Sequence, residues 1–148
     1  MPAASLTDHT GYWLRMVSNA VSQDFARRIA GQGVTVAEWV FLRALHDVPE
    51  LAPTALAERM SMTRGAISKL ADRLAAKGLL AIAQTPGARG QGLSLTEAGR
   101  TLVPVLARLA DENDADWFGP LSGPDRAELA RLLQSLAARR GLTAPPLT

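Results

Sequence analysis

Cysteine is absent from these 148 residues, and histidine is nearly so, with only His9 and His46. Without thiols the chain has no disulfide framework, no thiolate zinc site and no thiol redox switch. Two imidazoles are too few for a histidine-rich metal site, so neither metal nor cofactor is expected. No GxxxxGK phosphate loop and no HExxH string occurs, and Ser61 and Ser68 have no evident base, so the chain does not read as an enzyme. No apolar run approaches the length of a membrane span, and the first residues lack the charged-then-apolar order of a signal peptide. The expectation is a cytoplasmic protein with no membrane partner.

What is present is enough for a core. Apolar residues make up 47% of the chain, too many for a disordered one. The net charge is only +2, but it is unevenly spread. Residues 59–100 hold seven basic side chains against two acidic, while residues 1–58 hold four against six and residues 101–148 five against six. A basic centre between near-neutral ends is the footprint expected of a module that meets a polyanion, and ordinary solvated surfaces show such windows too.

Trp13, Val17, Val21, Phe25 and Ile29 recur every four residues, predicting a first helix over Thr10 to Ala30 with one apolar stripe and Trp13 in the core. Gly31-Gln32-Gly33 ends it, and Thr35 with Glu38 forms a capping box for a second helix carrying Trp39, Leu42 and Leu45. Thr54 is read as the cap of a short third helix ending at Met60. After the tight Ser61-Met62 link, Thr63 caps a fourth helix over Arg64 to Lys77, closed by Gly78. Two short helices joined this closely have a helix-turn-helix layout. The segments 79–85 and 93–95 around a Pro/Gly-rich stretch predict a β-hairpin with a long tip, a wing. Thr96 caps a long helix to about Asp116, and Ser122 begins a last helix with Leu129, Leu132, Leu133 and Leu136 on one face. The acidic run Asp111 to Asp116 reads as a solvated face rather than a metal site.

On a helical wheel of the fourth helix, Ile67, Leu70, Ala71 and Leu74 gather on one side. Gly65, Ser68, Lys69 and Asp72 lie opposite, flanked by Arg64 and Arg73. This pattern suits an ordinary amphipathic helix with a charged outer face as well as a helix lying in a major groove; the short preceding helix, tight turn and following hairpin favour the groove. Arg64 can donate two hydrogen bonds to a guanine edge, and Ser68 can contact a base or a phosphate. Lys69 and Arg73 suit phosphates, and Gly65 allows close approach. Ser61 and Thr63 complete the candidate contacts at the turn, and Arg89 supplies the wing. Asp72 repels phosphate unless it accepts from a cytosine amino group or is neutralised by Lys69; the spacing favours neutralisation.

Gly11-Tyr12-Trp13-Leu14-Arg15, Gly33-Val34-Thr35-Val36-Ala37-Glu38-Trp39, Leu56-Ala57-Glu58-Arg59-Met60 with the segment from Thr63 to Leu79, and Leu95-Thr96-Glu97-Ala98-Gly99-Arg100 resemble, in order and spacing, the MarR family of bacterial and archaeal regulators over about residues 9–140. The resemblance implies a mainly α winged helix-turn-helix with a small β-hairpin wing. It implies a homodimer joined by its first and last helices, reading a near-palindromic double-stranded DNA operator as a transcriptional regulator, commonly a repressor. The division it implies is a dimerisation helix in 1–34, the DNA-binding module in 35–100, and dimerisation helices with a tail in 101–148. The family's wing usually carries Asp-x-Arg. Here Arg89 has the arginine's place while Gly87 stands where the acid belongs, so a looser Arg89 is expected. Many members release DNA on binding a small aromatic or phenolic acid, for which Tyr12, Arg15 and Trp39 are the candidate lining here. The competing reading is a winged helix used for protein–protein contact without DNA.

Overall fold

The computed structural model describes residues 2–84, 91–145 and 147. Arg89 and the expected wing tip lie outside them. After a single 3-10 turn at Leu6–Asp8, the chain forms α1 (Thr10–Ala30), α2 (Val36–His46), α3 (Pro53–Met60), α4 (Arg64–Ala76), β1 (Leu80–Gln84), β2 (Gln91–Leu95), α5 (Glu97–Phe118) and α6 (Gly123–Arg139). It is a mainly helical fold with one antiparallel hairpin.

Four helices start on side-chain caps: Thr35, Thr63, Thr96 and Ser122 each accept a backbone N–H three residues on. The third helix departs from its expected start. Pro53 occupies its first turn, with Ala52 at the cap and Thr54 already inside. Proline has no N–H to satisfy there and its fixed φ suits the helix, so no capping hydroxyl is required.

The hairpin pairs Leu80 with Leu95 and Ile82 with Leu93, placing alternate apolar side chains on one face. Its second strand begins at Gln91, two residues earlier than the apolar run at 93–95 indicated. Leu51 exchanges two backbone bonds with Leu93 (2.9 and 2.8 Å), so the α2–α3 link flanks β2. Gly99 allows α5 to press against the approach to β1: a Cβ there would stand 2.3 Å from the Leu79 carbonyl oxygen.

The core joins Phe41, Leu42 and Leu45 of α2 to Leu56 and Met60 of α3, and to Ile67, Leu70 and Leu74 of α4. Leu80, Leu93 and Leu95 of the hairpin, Val103 and Leu106 of α5, and Ile29 near the end of α1 complete it. Only the C-terminal half of the α1 stripe therefore enters this core. In the N-terminal half Trp13, Leu14, Met16 and Val17 remain 40–50% exposed. The expectation that Trp13 is core is thus wrong for the single chain; its indole donates to the Thr7 carbonyl at 3.0 Å. Helix α6 has no buried residue at all, and Leu132, Leu133 and Leu136 are exposed.

The α1–α5 seam is partly polar. Arg28 pairs with Asp116 and lies 3.8 Å from Glu112, and the Trp117 indole donates to Asp24. Two members of the acidic run thus have an arginine partner, and among the described residues no cluster could hold a metal ion. Among the same residues no helix is long and apolar enough to cross a membrane.

Candidate nucleic-acid interface

Helices α3 and α4 meet through Ser61, whose left-handed backbone (φ 53°, ψ 43°) turns the chain within one residue. Its N–H bonds to the Glu58 carbonyl at 3.2 Å, and that of Met62 to Ala57 at 3.0 Å, so the turn satisfies the last carbonyls of α3. The Thr63 hydroxyl oxygen accepts from the Ala66 N–H at 3.1 Å, leaving its proton free to donate outward. A groove of about 640 Å³ runs along this junction, with Thr54, Glu58, Ser61 and Arg64 on its walls.

Helix α4 divides as its wheel indicates. Ile67, Leu70, Ala71 and Leu74 are buried, while Arg64, Gly65, Ser68, Lys69, Asp72 and Arg73 are exposed. Nothing lies within 4 Å of a Cβ built on Gly65, so the protomer itself places no demand on that glycine. Ser61, Thr63, Arg64, Gly65, Ser68 and Lys69 therefore share one solvent-facing surface.

Arg73 and Asp72 differ from expectation. Arg73 lies 3.5 Å from Glu38 and so shares its charge with a protein carboxylate. Asp72 pairs with neither Lys69 nor any other cation among the described residues. Neutralisation of Asp72 by Lys69 does not occur; a three-residue spacing permits the pair without requiring it.

Glu38 is the feature that sequence reasoning saw only in part. Its side chain is wholly buried and completes the capping box by accepting from Thr35 at 2.8 Å. It also takes two hydrogen bonds from the Lys77 ammonium, both 2.9 Å, while Lys77 donates a third to the Gly33 carbonyl at 2.8 Å. Burial pushes the Glu38 carboxyl up, but the bonds from Lys77 and Thr35 and the charges of Lys77 and Arg73 hold it below its ordinary value. A buried carboxylate thus fastens the end of α4 to the start of α2. The capping box was legible; partners 35 and 39 residues away carry no local signal.

The three expected ligand-lining residues do not converge within one chain. Trp39 packs edge-on against Phe25 (centroids 6.4 Å apart), and Tyr12 packs edge-on against Trp13 (5.6 Å). Tyr12 and Phe25 are thirteen residues apart on one helix, about 20 Å of rise. Within one protomer Tyr12 and Trp39 thus pack against rings about 20 Å apart along α1 and do not stand side by side. Arg15 is exposed on α1. An open cavity of about 890 Å³ lies elsewhere, between the first turns of α5 and the α4–β1 junction, lined by Lys77, Leu79, Glu97, Thr101, Leu102 and Val105 among others.

Known proteins share this architecture. Residues 32–89 match the sequence model described as the MarR family. A Thauera aromatica protein assigned as a transcriptional regulatory protein for the hcr operon is 30% identical over 134 residues, 89% of this chain and 81% of that protein. The Mycobacterium tuberculosis MarR family protein Rv2887, solved in complex with DNA, superimposes with a TM-score of 0.71 at 27% identity, covering 86% of this chain and 97% of that one. Bordetella bronchiseptica BpsR, whose DNA binding is regulated by 6-hydroxynicotinic acid, gives a TM-score of 0.78 at 24% identity, covering 92% and 99%. With a winged helix-turn-helix of this form and relatives of this kind, the chain belongs to the MarR family: it is a DNA-binding transcriptional regulator and not an enzyme.

Proposed function

We propose that the protein acts as a homodimeric repressor that reads a near-palindromic duplex, one α4 helix to each half-site. The observation that carries this reading is the division of α4, with four apolar side chains buried and a basic, hydroxyl-bearing surface turned out. In this reading Arg64 contacts a guanine edge, Ser61, Thr63, Ser68 and Lys69 contact base or backbone, and Gly65 admits the duplex to the first turn. Arg73, shared with Glu38, contributes at the margin, and Arg89 is assigned to the minor groove beside the hairpin. The division into 1–34, 35–100 and 101–148 is part of the same proposal.

Dimerisation is inferred from the apolar surface left uncovered. The exposed half of the α1 stripe and the leucines of α6 are too extensive for a comfortable monomer surface. Leu14 of α1 and Leu133, Leu136 and Leu142 line a shared groove of about 470 Å³, into which a second copy's apolar helix fits.

Selecting duplexes from a random pool tests the reading. The expected outcome is an inverted repeat; recovery of no preferred sequence, or of an unrepeated short site, contradicts it. A small aromatic acid that weakens DNA binding is the regulatory part of the proposal. Tyr12 and Arg15, three residues apart on one face of α1, offer a ring and a cation to such a ligand. A thermal-shift screen of aromatic carboxylates checks this: stabilisation should disappear in Arg15→Ala, and its persistence removes Arg15 from the site.

A further inference from the structure

Helix α4 carries three cations and one acid, with Lys77 at its C-cap, and the acid, Asp72, makes no ion pair among the described residues. Viewed down the axis, the outward centre line of α4 runs through Gly65, Lys69, Asp72 and Ala76, opposite the buried Ile67–Leu74 face. Asp72 therefore sits on the part of the helix that comes nearest any groove it enters. Its neighbouring cations do not mask it. Arg73 is turned to Glu38 at 3.5 Å, Lys77 spends its donors on Glu38 and Gly33, and Lys69 makes no ion pair among the described residues. The buried Glu38 carboxylate thus has a second consequence: it draws Arg73 and Lys77 towards itself and leaves Asp72 without an ion-pair partner among the described residues.

A bare carboxylate facing DNA is repelled by phosphate, and it finds few compensating donors in the major groove. The adenine amino group stands beside the N7 acceptor, which repels a carboxylate. Cytosine presents its N4 amino group with no acceptor of its own beside it. We propose, resting on the DNA-binding reading above, that Asp72 is a specificity-determining residue that accepts a hydrogen bond from a cytosine N4 amino group in each half-site and, through phosphate repulsion, weakens binding to sequences lacking that cytosine. Lys69 lies about 4.5 Å away along the axis, little more than one base step, and holds the adjoining phosphate.

The test compares the wild-type protein with Asp72→Ala and Asp72→Asn on the selected duplex, on single-base variants of it, and on an unrelated duplex, by fluorescence anisotropy at fixed salt. Both substitutions are at an exposed helix position, and circular dichroism should show both folded. Asp72→Ala should bind the unrelated duplex more tightly and lose discrimination at one position per half-site by about five- to tenfold. Asp72→Asn should move the preference at that same position towards adenine, which asparagine recognises through N6 and N7. If both variants gain affinity on every duplex alike, with base preferences unchanged, Asp72 merely repels and the assignment is overturned while DNA binding stands. If the wild type binds no duplex, the DNA-binding reading fails and this assignment with it.

Discussion

Arg64 and Lys69 stand five residues apart on the same exposed surface, yet their removal should have different effects. A guanidinium bonded to a guanine edge carries sequence information, so Arg64→Ala should cost about 1–3 kcal/mol on the preferred duplex and relax the preference at one base position. An ammonium on a phosphate does not, so Lys69→Ala should weaken all duplexes nearly equally and reduce the slope of log affinity against log salt by about 1. Equal losses on every sequence for Arg64→Ala contradict its role. Gly65 separates stability from function more sharply. With open space where its Cβ would be, Gly65→Ala should raise folding stability by up to about 1 kcal/mol while weakening duplex binding. Stabilisation without loss of binding means that the first turn of α4 does not approach DNA. The exposure of Arg64, Gly65 and Lys69 was legible because a wheel separates the two sides of α4. The partners of individual charges were not: Lys69 and Asp72 had pairing distance without pairing, whereas Arg73 found Glu38 from another helix.

At the scale of elements, Glu38 is the most consequential contact, because it joins α2, α4 and the α1–α2 link through one carboxylate. Its folded pKa lies below the ordinary 4.5, so its contribution is fully present above about pH 4.5 and is lost as pH falls through the lower folded value. Glu38→Gln keeps an oxygen for the Thr35 N–H but loses the charge, and should cost about 1.5–3 kcal/mol at neutral pH. Thermal melts of both proteins across pH check this: the gap between them should be widest above pH 4.5 and shrink on further acidification. A gap independent of pH shows that the charge is not what stabilises the junction. Helix starts were readable wherever a hydroxyl capped them, at Thr35, Thr63, Thr96 and Ser122. The start of α3 was misplaced because Pro53 does the work locally that Thr54 was expected to do.

At the scale of the molecule, one amphipathic stripe on α1 is divided between a half that packs on the core and a half left exposed. Phe25 and Ile29 pack towards the core of the chain, whereas Trp13 and Val17 do not, and a sequence pattern of constant period gives no sign of where one duty ends. The same holds for α6, whose leucine face is strongly periodic yet leaves Leu132, Leu133 and Leu136 exposed in its own protomer. The double variant Leu133→Glu, Leu136→Glu should therefore leave the winged module folded while shifting sedimentation velocity from dimer to monomer, and it should lose duplex binding through the lost second half-site. A wild-type protein that already sediments as a monomer contradicts this assignment of α1 and α6.

The central claim is that two copies of α4 enter successive major grooves on one face of a duplex. Hydroxyl-radical footprinting of the protein on its selected duplex, with the stoichiometry of the complex measured alongside, tests it most directly. The account predicts two chains per duplex and two protected patches separated by about one helical turn, 10–10.5 base pairs, or a whole multiple of it. A single protected patch with one chain bound, or no protection at low salt, would contradict it.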